Sequence, residues 1–413
     1  MYDAQCPERF QSAEFVQERG GIDIVVTVDG DPPPSKGAAV DAAVDATVSQ
    51  VLAVLHGKDT SGHEPSISTA NAGKDEEPDY TRSRAITRPQ AQDMMSQIFT
   101  DYVELKGDGR VATDPCIRGG LARIGGKRCV VLGTTKGHTP KDMMAANHGM
   151  PSPAGYRTAL RLFQLAERFS LPVVTLVDTV GAWPSFVAEE AGQGEAIATN
   201  LTAMASLKTP IVTLIVGEGG SGGALGIAMG DRIGMLSSAY YGVISPEGAA
   251  SILGRYTDAE HKKEQFPLDC RALATGQGIY AHQLLRLGVI DKVIQEASGE
   301  TFNSFPVLSA RIAAFVSASL DELSALSSDQ LISYRYDKVR HDPTPWEEDP
   351  HSHARPPLND RGFTSRLLYR VLSFARWANS MSLDLQSAPQ PSPTQLPTPP
   401  PRQVALAVRA ASA

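Results

Sequence analysis

The sequence has no long hydrophobic run and no excess of basic residues. Its apolar runs, such as Leu171–Val177, hold only a handful of residues, whereas a membrane-spanning helix needs about 20. The 413 residues include 46 acidic and 38 basic side chains, a net charge of −8, which argues against a nucleic-acid-binding protein. The N-terminus lacks a basic region followed by an apolar stretch, so we expect no secretory signal and a cytoplasmic protein.

Cysteine is also scarce, and its wide spacing argues against a metal site built on cysteine pairs. No C-x-x-C pair occurs, so the sequence favours reduced thiols over a zinc site built on cysteine. The four cysteines are Cys6, Cys116, Cys129 and Cys270. A hydrophobic fraction of 42% is enough for a packed core, and the length alone predicts two or three domains.

Several stretches lack the apolar residues that a packed domain needs. Residues 58–81 are rich in Gly, Ser, Asp and Glu, which predicts a disordered linker. We expect a loop with a helical extension at 341–386, and a disordered tail at 387–413, which holds a proline-rich run. These boundaries leave a main domain at 82–340 and a separate segment at 1–57.

Within the main domain, short apolar runs alternate with segments of helical periodicity. This alternation predicts an α/β domain whose strands pair largely in parallel. Strands are predicted at Lys127–Gly133, Val173–Val177, Ile211–Val216 and Tyr240–Ile244. Helices are predicted at Gly155–Phe169, Glu190–Leu207 and Gly222–Met229, with a helix or helix pair at Leu320–Arg340.

An internal repeat relates residues 13–26 to residues 281–294. The two segments align without a gap and share five identical residues, Ala13/Ala281, Gly20/Gly288, Ile22/Ile290, Asp23/Asp291 and Val25/Val293. Each predicts a helix that ends at a glycine and turns into a strand. Chance similarity between two common units is the alternative to a true repeat. A true repeat would make the N-terminal segment the end of a second, similar domain.

A glycine-rich segment, Gly217–Leu225, follows the predicted strand Ile211–Val216. Its Gly217, Gly219 and Gly222 match the dinucleotide fingerprint G-x-G-x-x-G. The match is weak because no acidic residue ends the next predicted strand.

The same glycines surround Ser221 in G-x-S-x-G, the pattern of a nucleophile elbow. Candidate acids follow at Asp258 and Asp269, and candidate bases at His261 and His282. Such residues occur in almost any chain of this length, so this pattern is unspecific.

A third possibility uses backbone amides alone. A glycine loop at a helix start presents N–H groups that can hold an oxyanion without any side chain. A similar loop, Asp178–Pro184, follows the preceding strand, and Gly192–Glu195 leads into a helix. Loops after neighbouring parallel strands meet at one edge of a sheet, where α/β proteins bind ligands. Simple close packing of helix on sheet is the alternative role for the glycines.

These segments resemble the α half of the carboxyltransferase component of acetyl-CoA carboxylase, within the crotonase-like superfamily. The similarity covers about residues 82–340 and is carried by 178–184 (DTVGAWP), 189–201 (EEAGQGEAIATNL), 217–231 (GEGGSGGALGIAMGD) and 243–253 (VISPEGAASIL). The segment 1–57 is similar to the closing part of the β half. The whole chain therefore resembles the C-terminal part of a β–α fusion.

The resemblance implies a ClpP/crotonase-like α/β spiral of repeated ββα units with C-terminal helices. The implied reaction transfers CO2 from carboxybiotin to acetyl-CoA and gives malonyl-CoA for fatty acid synthesis. Two alternatives are a carboxybiotin-linked decarboxylase of malonyl or methylmalonyl groups and a serine hydrolase that uses Ser221.

The resemblance also implies partners. A β subunit would complete the active site in an α2β2-type assembly, a biotin carboxyl carrier protein would bring biotin, and a biotin carboxylase would use ATP. We expect no metal in this chain, because the family's zinc ribbon belongs to the β half, and no nucleic-acid or membrane partner.

The family's site residues transfer to positions in the two glycine loops. The implied oxyanion hole consists of the amides of Gly222, Gly223 and Ala224. The implied substrate-binding residues are Gly181, Ala182, Gly219 and Gly220. We expect the two nearby lysines, Lys136 and Lys141, to be solvated surface residues.

Overall fold

The computed structural model describes six parts of the chain, residues 23–24, 38–59, 79–85, 87–110, 112–296 and 305–340. Most of the first repeat copy, most of the predicted linker, and the predicted helical extension and tail lie outside the described residues. Within the described parts, no helix is both long and apolar enough to cross a membrane.

The described strands form one sheet in the order β1-β2-β3-β4-β5-β6-β8, and β7 pairs with the end of β5. They are β1 Thr100–Glu104, β2 Ile117–Ile124, β3 Lys127–Thr134, β4 Val173–Thr179, β5 Ile211–Gly220, β6 Arg232–Leu236, β7 Tyr240–Gly242 and β8 Lys292–Ile294. The first three strands are antiparallel neighbours, whereas all pairings from β3 onward are parallel. The prediction of a largely parallel α/β domain is confirmed.

Helices surround this sheet. They are α1 Ala38–His56, α2 Ala91–Ile98, α3 Pro140–Ala145, α4 Pro153–Arg168, α5 Phe186–Glu190, α6 Gln193–Ser206, α7 Ser221–Ala228, α8 Pro246–Leu253, α9 Ala259–Gln277, α10 Ala281–Arg286, α11 Phe305–Ser324 and α12 Ser328–Arg340. Two 3-10 helices lie at Tyr80–Arg84 and Asn147–Gly149. The predicted pair over Leu320–Arg340 is present, although its first helix begins earlier, at Phe305.

The continuous apolar runs of the sequence form the two central strands, β4 and β5. Every residue of β4 and β5 is buried, because each strand has a neighbour on both sides and helices over its faces. Their register pairs Val173 with Ile211 and continues to Thr179 beside Gly219. Both strands therefore end at the same edge of the sheet. β4 continues into the loop after Thr179, whereas β5 is longer than predicted, runs to Gly220 and passes directly into α7. We keep the name glycine loops for residues 178–184 and 217–225.

One acidic side chain fixes the start of α4. Pro153 occupies the first turn, and the buried Asp114 carboxylate accepts hydrogen bonds from the Ser152 backbone amide (2.6 Å) and hydroxyl (2.9 Å). Burial raises the pKa of Asp114, although these hydrogen bonds act in the opposite direction. The apolar stripe of α4 then faces the core, with Tyr156, Leu162 and Phe163 fully buried.

The helix predicted at Glu190–Leu207 is present as α6, although it begins three residues later, at Gln193. Gly192 has a φ of +80°, a left-handed conformation that a continuous α-helix does not contain, and it separates α5 from α6. The predicted strand Tyr240–Ile244 is shorter than expected because Ser245 caps α8, accepting from the Gly248 amide at 3.0 Å.

The second copy of the repeat has the predicted form. α10 ends before Gly288, whose φ of +64° turns the chain toward β8. The helix α1 packs on the core, since its Val54 is buried and Arg123 donates to the Ala53 carbonyl at 2.9 Å. The assignment of residues 1–57 to a β-type domain stays a prediction.

The last described helix is anchored by a buried arginine. Arg335 donates to both carboxylate oxygens of Asp231 at 2.9 Å, and the two side chains are almost fully buried. Its remaining N–H groups reach the carbonyls of Met204, Leu207 and Thr209 at 2.6 to 3.2 Å. Arg335 thereby joins α12 to the end of α6 and to the turn that precedes β5.

We expect Arg335→Met to lower the free energy of unfolding by about 3–5 kcal/mol, because it leaves the Asp231 carboxylate buried without its cation. Urea denaturation followed by circular dichroism measures this loss. The control is Arg271→Met at an exposed position of α9, which should change stability by less than about 0.5 kcal/mol. Equal stability of the two variants would contradict the anchoring role.

Candidate active site

The loops after β4 and β5 meet through main-chain atoms, as the sequence predicts. A Cβ at Gly220 would overlap the Val180 carbonyl oxygen, and a Cβ at Gly223 would overlap the backbone of Gly181 and Ala182. Glycine is therefore required at Gly220 and Gly223 for the loops to approach this closely. The contact places the predicted substrate-binding residues directly beside the start of α7.

The start of α7 offers backbone donors. Gly220 is its N-cap and has no side chain to accept from the first turn, so the amides of Ser221, Gly222 and Gly223 lack acceptors within the helix. By helix geometry the Ala224 amide is the first that reaches a carbonyl of its own helix, at Gly220. Among the three predicted amides, Gly222 and Gly223 therefore have the better geometry for an external oxyanion.

Open space lies next to these donors. No heavy atom lies within 4 Å of the position that a Cβ would take at Gly222 or at Gly181. Gly181 also has a φ of +152°, which side chains rarely adopt. Gly181 and Gly222 are therefore uncrowded, and Gly222 lies at a helix N-terminus, whose partial positive charge favours an anion.

Tyr156 on α4 and Asn200 on α6 form hydrogen bonds with the main chain of α7. The Tyr156 hydroxyl donates to the Gly223 carbonyl at 2.9 Å, and its ring lies where a side chain at Gly226 would stand. The Asn200 amide donates to the Tyr156 and Gly226 carbonyls, both at 3.0 Å. Sequence reasoning missed both residues, because each acts across helices that are distant in the chain.

A cluster of charged side chains lies at the ends of β4 and β5, and its Lys136, Asp178 and Glu218 members are largely buried. We call Arg84, Lys136, Asp178, Glu218 and Glu247 the charge cluster. The Lys136 ammonium lies 2.6 Å from both Asp178 Oδ1 and Glu218 Oε1. Arg84 Nε donates to Glu218 Oε2 at 2.7 Å, and its Nη1 donates to Glu247 at 2.6 Å. The Glu218 amide also donates to Asp178 Oδ1 at 2.9 Å.

Opposite charges outweigh burial in this cluster. Burial lowers the pKa of Lys136, but Asp178 and Glu218 more than offset it and leave the pKa above its ordinary value. Burial raises the pKa of Glu218, but Lys136 and Arg84 bring it below its ordinary value. Both groups are therefore charged near neutral pH.

Two tyrosines enclose the arginine of the charge cluster. The Arg84 guanidinium lies 5.3 Å from the Tyr80 ring centre and 5.8 Å from that of Tyr240. The Tyr240 hydroxyl donates to Glu218 Oε2 at 2.8 Å. Burial, with nearby carboxylates, raises the pKa of both hydroxyls, so each keeps its proton and acts as a donor.

The prediction of a solvated Lys136 is wrong, whereas Lys141 is exposed as expected. Lys136 follows β3, and its two carboxylate partners end β4 and β5, so the tertiary fold brings all three together. A signal existed in the sequence. Asp178 and Glu218 are the single charged residues in two otherwise uncharged buried strands, and buried carboxylates require a cation.

The structure does not assemble the serine-hydrolase triad among the described residues. Ser221 is exposed, with a φ of +49°, and no described histidine hydrogen-bonds its hydroxyl. His261 instead lies 3.2 Å from the Thr257 amide and hydroxyl, and its own amide donates to Asp258, the N-cap of α9. Asp269 accepts from Tyr256 at 3.0 Å, and His282 stacks on Tyr280.

The described part of the chain shows no metal-binding cluster of three or more His, Cys, Asp or Glu residues. Its three cysteines, Cys116, Cys129 and Cys270, are buried and form no disulfide.

Solved structures of carboxylating enzymes share this fold. The 12S transcarboxylase structure with hydrolyzed methylmalonyl-coenzyme A bound has a TM-score of 0.52 at 18% identity, over 69% of this chain and 52% of that one. A single-chain, multi-domain long-chain acyl-CoA carboxylase has a TM-score of 0.51 at 18% identity, over 76% of this chain and 27% of that one. This chain thus spans about half of the first and a quarter of the second. The crotonase-like α/β fold is confirmed.

Comparison of sequences identifies the family as well as the fold. Proteins named acetyl-coenzyme A carboxylase carboxyl transferase subunit alpha from Stenotrophomonas maltophilia (strain R551-3) and Yersinia enterocolitica are both 45% identical to this chain, over 258 and 257 residues. These matches cover 62% of this chain and 78% and 77% of the two relatives. The family described as acetyl co-enzyme A carboxylase carboxyltransferase-like matches residues 75–342. With more than half of its length in that match, the chain belongs to the acetyl-CoA carboxylase carboxyltransferase family as an α-type subunit.

Proposed function

We propose that this chain helps transfer CO2 from carboxybiotin on a carrier protein to acetyl-CoA, giving malonyl-CoA. The observation that carries the proposal is the pair of uncapped amides at Gly222 and Gly223, which lie against the loop that contains Gly181, with open space at Gly222 and at Gly181. The family match over residues 75–342 supports carboxyl transfer over hydrolysis or decarboxylation.

The residues present fit an acyl thioester and a biotin ring. Both ligands place a carbonyl oxygen at the reacting centre, and the open positions beside Gly181 and Gly222 admit such a group without a side-chain clash. Biotin, when bound on its carrier, supplies the CO2 from a ring nitrogen. No step here requires a charged side chain of this chain to contact either ligand.

The chain's own contribution is electrostatic. With both ligands bound, loss of CO2 would move negative charge onto the biotin oxygen. The ring nitrogen that released CO2 would accept the proton that leaves the thioester methyl group, and the charge left on that group would move onto the thioester oxygen. The Gly222 and Gly223 amides, at the positive end of α7, stabilise one of these oxygens. Because the loops are held by main-chain contact, the donors are already in place before charge develops.

The second oxygen requires donors from elsewhere, and we assign them to a β-type partner. Exposed apolar side chains occur on the loop after β4, on α5 and on α7. They are Val180, Phe186, Val187 and Leu225, with Phe186 76% exposed. Such a patch is typical of a surface that another protein covers. In this proposal the chain and the β subunit form an α2β2-type assembly. A biotin carboxyl carrier protein and an ATP-dependent biotin carboxylase are its further partners.

We expect Gly222→Ala to lower kcat/KM about 10²-fold, because the added methyl group occupies the space beside the donors. The assay is malonyl-CoA-dependent carboxylation of free biotin with a β subunit added. Folding should be unaffected, since no atom lies within 4 Å of the new carbon.

The matched control is Gly276→Ala in α9, which also has no atom within 4 Å of the added carbon. It should keep full activity. If Gly222→Ala is as active as Gly276→Ala, the amides do not form the oxyanion hole.

Ser221→Ala separates carboxyl transfer from the hydrolase alternative. We expect less than about a tenfold loss of carboxylation activity, because the hydroxyl has no catalytic partner and alanine keeps the amide. A nucleophilic serine would instead lose nearly all turnover. The same biotin assay, with thioester hydrolysis followed in parallel, distinguishes these outcomes.

Phe186→Asp tests the surface assigned to the β subunit. A carboxylate at this exposed apolar position should weaken β-subunit binding at least tenfold by calorimetry, because it would have to be desolvated in the complex. Val307→Asp on α11, where Val307 is 46% exposed, is the control and should bind normally. Normal binding by both variants would place the interface elsewhere.

A further inference from the structure

Lys136 follows the end of β3, and its ammonium contacts one carboxylate near the end of β4 and another near the end of β5. Lys136 lies two residues beyond β3, Asp178 is the penultimate residue of β4, and Glu218 is the third residue from the end of β5. The ammonium lies 2.6 Å from a carboxylate oxygen of each partner. The side chains of Asp178 and Glu218 are only 7% and 3% exposed, so water does not screen their charges from each other.

These carboxylates lead directly into the loops that carry the proposed site. Asp178 precedes Gly181 by three residues, and Glu218 precedes the uncapped amides of Gly222 and Gly223 by four and five. The main-chain contact between the loops prevents a closer approach, since Gly220 and Gly223 already lie against the opposite backbone, so the spacing of the loops can only increase. A change in the distance between the two carboxylates is therefore transmitted to the donors.

We propose that Lys136 is a positioning residue, whose ammonium holds Asp178 and Glu218 together and so sets the spacing of the two glycine loops. This rests on the proposed function, because its effect is on the same amides. Removing the ammonium leaves the three carboxylates of the charge cluster with one arginine. Repulsion between Asp178 and Glu218 then spreads the loops unless one carboxylate takes up a proton.

The proposal predicts an unusual pH dependence. In the wild-type chain the pKa of Glu218 lies below its ordinary value and that of Lys136 above its ordinary value, so both stay charged around neutral pH. Without Lys136, burial of Glu218 is opposed by Arg84 alone, and we expect the pKa of Glu218 to rise toward neutrality. In Lys136→Met the loop amides are then better positioned at low pH, and the activity falls as the pH rises.

Other ionisable groups surround this pair and are unchanged by the substitution. Those facing it from neighbouring elements are Arg84, Tyr240, Glu247 and Cys116, and the same loop carries His138, paired with Asp93. Arg84 and Tyr240 keep their charge or proton throughout the range, because burial and the adjacent carboxylates raise the pKa of Tyr240 and the carboxylates raise that of Arg84. The design therefore includes a variant that removes only the carboxylate charge of Glu218 and leaves every other ionisable group in place.

The experiment compares Lys136→Met, Lys136→Met combined with Glu218→Gln, and Lys141→Met. Each full-length chain, with β subunit added, is assayed for biotin carboxylation from pH 6 to pH 9. We expect the kcat of Lys136→Met relative to wild type to fall at least tenfold across this range, with KM for malonyl-CoA changing less than threefold. The double variant should show a flat ratio, because the glutamine amide can donate to Asp178 and carries no charge.

Lys141→Met, at the exposed lysine of α3, should match wild type at every pH. A Lys136→Met ratio that is independent of pH, or a double variant no more active at pH 9 than the single one, would overturn the positioning role. Inactive wild-type chain with a competent β subunit would contradict the proposed function instead. If the single variant does not fold, the double variant still decides, since it must fold and be active if charge repulsion is the cause.

Discussion

The site depends on one physical constraint, the direct contact between two stretches of main chain. Val180–Ala182 and Gly220–Gly223 approach so closely that a single methyl group at Gly220 or Gly223 would separate them. Parallel pairing of β4 and β5 brings these stretches to one edge, and the absence of side chains lets them touch. The helix α7 can then present its first amides beside the neighbouring loop, already oriented, with no side chain available to satisfy them.

Local features of this arrangement could be predicted from the sequence. Continuous apolar runs identify β4 and β5, because strands with two neighbours and two covered faces have no polar side to alternate with. The glycine loops and their meeting at one edge follow from the strand order. The α/β class and the family follow from the same residues. The proposed roles of the individual glycines stay predictions, since they concern ligands that bind to the chain.

Features that depend on distant partners could not be predicted. The residues around Lys136 in the sequence are typical of an exposed loop. Lys136 is buried because the ends of three strands meet, which places its ammonium between Asp178 and Glu218. Tyr156 acts on Gly223 across 67 residues of sequence. The break at Gly192 is local, but helical periodicity continues across it and conceals the left-handed residue. In each case a single backbone angle or a long-range pair outweighed the local pattern.

The buried pair of Arg335 and Asp231 has a consequence for how the chain is made. The two residues are 104 positions apart, and Asp231 lies between β5 and β6 in the middle of the sheet. At roughly 5–20 residues per second, the ribosome needs about 5–20 s to reach Arg335 after making Asp231. During that time the carboxylate has no cation with which to enter the core. The Asp231 carboxylate therefore gains its buried cation only after α12 has been made, long after the strands on either side of it in the chain.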